Sequence, residues 1–136
     1  MADRQRSSRM LGSVRIRKIV VDSILTYARV SHPNEGVLLL RGKVGKALVV
    51  VDDVVLPPFA TQSRNRASFP LRMLPLDHSI VGTAHSHPSG VLQPSVQDLN
   101  LLYGRIMVIV AYPYDSECDL ACFDRTGSRI EYQIFV

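Results

Sequence analysis

Between residues 15 and 31 the apolar positions Ile16, Ile19, Val20, Ile24, Tyr27 and Ala28 recur at spacings of three and four, with Asp22, Ser23 and Arg29 on the opposite side. This is the period of one face of an amphipathic helix. Ser31-His32-Pro33-Asn34 ends it, because proline breaks the hydrogen-bond ladder and disfavours helical geometry in the residue before it. After Glu35, the short apolar run Gly36-Val37-Leu38-Leu39-Leu40 predicts a buried strand. Lys43-Val44-Gly45-Lys46 predicts a hairpin turn, and the β-branched run from Ala47 to Leu56, stopped by Pro57-Pro58, its antiparallel partner. Residues 60–68 are polar and predict a surface loop or ragged edge with Arg64 and Arg66 exposed. A strand over Ile80–His85 opens into a proline- and glycine-rich segment from Ser86 to Pro94. Val96, Leu99, Leu102 and Tyr103 then take helical spacing within residues 95–103, and Ile106–Ala111 reads as another buried strand. Cys118–Phe123 and Arg129–Phe135 alternate around Asp124-Arg125-Thr126-Gly127, a hairpin signal. The order helix, strands, helix, strands predicts an α/β (α+β) sheet layered with helices rather than a bundle or barrel.

The length of 136 residues is that of one domain, and 46% hydrophobic with 21% charged residues suits a globular core. No run approaches the roughly 18 apolar residues of a membrane helix, and the amino end lacks the apolar stretch of a signal peptide, so a soluble, cytoplasmic protein is expected. Charge changes the picture only locally. Residues 1–18 carry six basic residues against Asp3, whereas the remaining 118 residues hold ten bases and eleven acids. The excess of bases therefore sits at the amino end, where residues 1–13 are set as a basic arm ahead of a single domain over residues 14–136. The body is near neutral and is not expected to bind nucleic acid. Cys118 and Cys122 are too few for a disulfide framework or a four-cysteine zinc site; four apart on a predicted strand, they read as thiols packed on one face.

Chemistry concentrates in one segment. His85 and His87 are two apart at the end of a strand, so both imidazoles face one side and can converge on one point. Ser95 and, three residues on, Asp98 open the following helix. Ser95-Val96-Gln97-Asp98 is by itself a helix capping box and needs no metal. Capping leaves unexplained, however, two histidines on one strand face that open into a proline-kinked loop returning to that carboxylate. Two histidines and a carboxylate also leave one tetrahedral position free, the pattern of a catalytic zinc site. Ser86 and Ser89 lie in no G-x-S-x-G turn, and the motifs of a zinc deaminase are absent from the sequence.

His85-Ser86-His87, seven residues, then Ser95-Val96-Gln97-Asp98 resembles, without a gap, the H-x-H-x7-S-x2-D signature of the JAMM (MPN-plus) zinc metalloprotease family. Glu35 stands where that family has its upstream glutamate, at the start of the first strand after the first helix. The resemblance spans about residues 15–136 and implies a central mixed sheet flanked by helices, of cytidine-deaminase-like type. It further implies one zinc ion per chain held by His85, His87 and Asp98, with Glu35 as general base and acid and Ser95 as donor to the oxyanion.

The same resemblance implies hydrolysis of a peptide or isopeptide bond after the C-terminal Gly-Gly of a ubiquitin-like or sulfur-carrier protein. Of the two insertions that larger members carry, residues 60–70 can supply only the first, and Tyr103-Gly104-Arg105 leads straight into the next strand. This is the compact build of prokaryotic, especially archaeal, stand-alone members. Residues 60–70 would be the edge along which a substrate tail adds a strand. His-Ser-His-Pro-Ser-Gly also resembles a bacterial branch associated with DNA repair, whose helix-hairpin-helix region does not fit in 136 residues. A non-catalytic MPN scaffold is the remaining alternative; such scaffolds lose ligands, and here all five site residues are present. A homodimer through exposed strand edges is compatible with the sequence and not required by it.

Overall fold

Strand alternation prevails over helical spacing at the amino end. In the computed structural model, which describes residues 12–58, 60–70 and 77–136, strand β1 (Ser13–Arg17) runs directly into helix α1 (Lys18–Ser31). Val14 and Ile16 are buried as alternate residues of β1, so the helix expected from residue 15 begins only at Lys18. Its buried face consists of Val20, Val21, Ile24, Leu25 and Ala28, whereas Ile19, expected on that face, is 62% exposed. The helix ends at Ser31 as its sequence predicts, with the His32 amide donating to the Ala28 carbonyl. All of the proposed basic arm up to residue 11 lies outside the described residues.

Strands β2 (Val37–Val44) and β3 (Leu48–Val55) form the expected antiparallel ribbon, with a bulge at Arg41/Gly42. Among the described residues, β4 (Thr61–Gln62) and β5 (Ala67–Ser68) pair only with each other. β6 (Ile80–His87) is followed by a short helix α2 (Val96–Asn100) and then by β7 (Ile106–Ala111), parallel to β6. The helix expected over 95–103 thus lasts five residues; Leu102 lies beyond it yet still packs on the sheet. A 3-10 turn (Glu117–Asp119) leads to β8 (Leu120–Phe123), β9 (Arg129–Ile130) and β10 (Gln133–Phe135).

The eight-stranded mixed sheet has the order β10-β1-β3-β2-β6-β7-β8-β9. β9 and β10 therefore stand at opposite ends although only Glu131 and Tyr132 separate them in the chain. Three residue steps reach about 10 Å at most, so the two ends of the sheet must approach and the sheet curls. The expectation of one strand over Arg129–Phe135 fails for this reason. β9 closes the hairpin on β8, while β10 crosses to pair in parallel with β1. Inside the curl, the buried face of α1 packs in one cluster with Val14, Leu40, Val51, Val108, Val110, Leu120 and Cys122, drawn from five strands. Each large apolar side chain buried there contributes about 1.5–3 kcal/mol relative to exposure.

The outer face carries two smaller clusters. Val37, Leu39, Ala67 and Phe69 seat the β4–β5 segment on β2, and Met107, Ile109, Ala121 and Phe123 receive Leu92, Leu99 and Leu102 from around α2. In the ladder, Val37 is paired with His85 and His85 with Ile109, so the histidine side of β6 lies between these clusters, on the face away from α1.

Close approach of backbones fixes β6 against β7. A Cβ at Gly82 would lie 2.1 Å from the Ile106 carbonyl oxygen, whereas one at Gly45 would meet nothing closer than 3.6 Å. Gly82→Ala is expected to lower the unfolding free energy by about 2 kcal/mol in urea titrations, and Gly45→Ala to change it by less than about 0.5 kcal/mol. Equal stability of the two variants would contradict this packing.

Candidate functional site

Ser86 lies on the opposite side of β6 from its two histidine neighbours and fastens the site from behind. Its hydroxyl accepts the Gly36 amide at 2.8 Å, and its own amide donates to the Gly36 carbonyl at 3.0 Å. This double tie brings Glu35, the residue before Gly36, to the histidine end of β6. The Glu35 amide in turn donates to the Ser63 carbonyl at 2.7 Å, joining the β4–β5 turn to the same corner. Ser86, considered from sequence only as a nucleophile and rejected, thus has a positioning role. Nothing local in the sequence signals it, since its partner is fifty residues away.

His85, His87 and Asp98 meet at the end of β6, and all three are buried. His87 Nε2 is 2.8 Å from Asp98 Oδ2, and His85 Nδ1 lies 3.4 Å from Asp98 Oδ1. Ser95 caps α2 as its sequence predicts. Its Oγ accepts the Asp98 amide at 3.0 Å, and its amide donates to Asp98 Oδ2 at 2.9 Å. One carboxylate therefore serves the helix cap and both imidazoles at once.

Protonation follows from these contacts. Burial alone would raise the Asp98 pKa, but the His87 hydrogen bond, the His85 charge and the Ser95 amide outweigh it and hold the carboxyl below its ordinary value. Burial would lower the His87 pKa, and the Asp98 and Val91 hydrogen bonds reverse that into a rise. His85 has no such compensation: burial drives it down to about 4, so its ring is neutral near pH 7. Half-buried Glu35 is raised, first by burial, with the His87 charge opposing and the Asp98 charge adding. A carboxyl displaced upward holds a proton more readily than a free one, the direction that general acid–base work uses.

Two observations test whether these residues suit a metal ion. Both ring nitrogens of His85 are buried without a hydrogen-bond partner among the described residues, a state costly for a polar ring unless something else binds it. His87 Nδ1 sits 2.8 Å from the Val91 carbonyl, the outer contact that fixes the tautomer of a ligating imidazole and turns Nε2 inward. The donor set of two imidazoles and a carboxylate is that of zinc. The donor atoms touch one another here, and among the described residues no three of them already surround a common point. The residues fit the ion in kind.

Glu35, His87 and Ser95 open onto a cleft of about 250 Å³, and Asn65, from the tip of the β4–β5 turn, lines it too. Of the five residues singled out by sequence, the structure thus brings all to one place. Asn65 was missed because only the fold carries that turn over the site. Cys118 and Cys122 do not share a face: Cys118 is exposed in the 3-10 turn, and Cys122 is buried with its thiol pushed up to about 12 by burial. Neither belongs to the site.

Known proteins with this fold and sequence agree with the geometry. The family described as prokaryotic homologs of the JAB domain matches residues 17–124. A probable metalloprotease of Haloferax volcanii is 35% identical over 114 residues, covering 79% of this chain and 70% of that protein. A solved structure described as JAMM, a metalloprotease-like zinc site in the proteasome and signalosome, is similar with a TM-score of 0.66 at 29% identity, over 91% of this chain and 99% of that one. A JAB1/MPN domain protein from Archaeoglobus fulgidus gives a TM-score of 0.67 at 32% identity, over 90% and 99%. The chain belongs to the prokaryotic JAB branch of the JAMM zinc metalloprotease family.

Proposed function

We propose that this protein hydrolyses the peptide or isopeptide bond after the C-terminal Gly-Gly of a ubiquitin-like or sulfur-carrier protein, with zinc held by His85, His87 and Asp98. The observation that carries the reading is the buried His85, without a hydrogen-bond partner at either nitrogen among the described residues, beside the Asp98 carboxylate that His87 shares. When bound, zinc polarises a carbonyl and lowers the pKa of water from about 15.7 towards about 7.

The chain's own residues do the rest. Glu35, which lines the cleft, removes a proton from the attacking water and returns it to the leaving amine. Ser95 Oγ receives the Asp98 amide on a lone pair, which leaves its O–H free to donate to the oxygen of the carbonyl under attack. Capping and catalysis use different parts of the same hydroxyl. The β4–β5 ribbon, paired only with itself among the described residues, offers an edge for an extended tail to join. Asn65, Pro94 and Ser95 line the cleft into which the end of such a tail would pass.

Two tests follow. Glu35→Gln is expected to keep zinc and to lower kcat at least about 100-fold on a ubiquitin-like protein joined through Gly-Gly to a reporter; full turnover by this variant would contradict the proton transfer. Ser95→Ala should cost about 1 kcal/mol of stability through the lost cap, whereas Ser95→Gly should cost only a few tenths. Both should lose kcat alike, by about 100-fold, if the hydroxyl stabilises the oxyanion. A kcat that follows stability instead would leave Ser95 a cap and nothing more.

A further inference from the structure

The β4–β5 ribbon does more than offer an edge. Its chain reverses in two residues, Arg64 and Asn65, closed by Ser63 and Arg66: the Ser63 amide donates to the Arg66 carbonyl at 2.7 Å, and the Ser63 hydroxyl reaches the same carbonyl at 3.2 Å. The turn is held in place at both ends. Ala67 and Phe69 are buried on β2, the Gln62 side-chain Nε2 donates to the Tyr27 hydroxyl at 2.6 Å, and the Ser63 carbonyl receives the Glu35 backbone amide. Asn65 therefore lines the cleft from a fixed turn, and Arg64 and Arg66 are its immediate neighbours in the chain.

Arg64 and Arg66 are exposed, and no ion pair engages either of them among the described residues. Elsewhere, Arg17 pairs with Asp52 and Arg41 with Asp53, while Arg15 lies over the Phe135 ring. Two guanidiniums free of ion pairs among the described residues, beside a residue that lines the same cleft as Glu35, oppose in sign the carboxylate that an incoming chain meets there. We infer that Arg64 and Arg66 select substrates with an acidic segment beside the scissile bond, their guanidiniums pairing with Asp or Glu side chains of the chain that occupies the cleft. Planar, permanently charged guanidiniums at a fixed turn are suited to bidentate pairing with carboxylates. The inference rests on the peptidase reading for the location of the scissile bond but not on the Gly-Gly preference.

The test uses full-length, zinc-loaded Glu35→Gln protein and fluorescein-labelled peptides read by anisotropy. Acidic, serine or lysine flanks are placed around a Gly-Gly core and, separately, around an Ala-Ala core. The acidic flanks should bind about tenfold more tightly than the lysine flanks at low salt, as two exposed ion pairs allow. The difference should shrink in 0.5 M salt and vanish in the Arg64→Glu, Arg66→Glu double variant. An acidic preference on either core supports the inference; equal binding of all flanks on both cores, or a preference that survives charge reversal, overturns it. Acidic preference with no distinction between cores would instead count against the Gly-Gly reading alone.

Discussion

Asp98 is only 4% exposed, and a carboxylate so far from water persists only where donors and cations surround it. Here it has the Ser95 amide, the His87 ring and, at ionic distance, the His85 ring. The cost of burying that charge falls on the whole arrangement. It requires β6 to end where it does, the loop from Pro88 to Pro94 to turn back, and α2 to begin with a capping serine. The partnership is unequal, since among the described residues His87 is satisfied at both ring nitrogens while His85 is satisfied at neither. A buried polar group left without a partner usually marks a redox, catalytic or ligand-binding site. A ligand bound by His85 would complete the cluster.

The curled sheet provides the stiffness this demands. β6 is paired along its length with β2 on one side and β7 on the other, and its histidines rise between two apolar clusters. The return loop is tied as well: the His87 carbonyl receives the amides of both Gly90 and Tyr112, while its ring holds the Val91 carbonyl. Glu35 reaches the site through the paired hydrogen bonds of Gly36 and Ser86. Chemistry here depends on backbone bonds between segments far apart in the chain, and those bonds set where the carboxylates and imidazoles stand.

The parts of the site that obey short periods were legible in the sequence. The i, i+2 spacing places His85 and His87 on one face, and the i, i+3 capping box places Ser95 beside Asp98. Glu35 was accessible only through the family resemblance, because its link to His87 runs through Gly36 and Ser86. The errors also have physical reasons. Ile16 satisfies both a period of two and a period of 3.6, and its tertiary partners, Val51 in β3 and Ile134 in β10, decide for the strand. Arg129–Phe135 alternates throughout, yet the curl brings the far edge of the sheet within reach at Glu131-Tyr132, and the strand is divided between two partners. Residues 60–68 lack a strong pattern, and their ribbon forms because Ala67 and Phe69 find an apolar seat on β2. Local periodicity cannot report a seat that lies elsewhere in the chain.

The central claim is that the His85, His87 and Asp98 cluster is a zinc site. The most direct test is the zinc content of purified protein by elemental analysis, wild type beside His87→Ala, with zinc titrated into the metal-free forms. About one zinc per wild-type chain, lost in the variant while the fold is retained by circular dichroism, is the predicted result. A wild-type chain that takes up no zinc, or a variant that retains it undiminished, would contradict the claim and leave Ser95 and Asp98 as a helix cap beside two buried histidines.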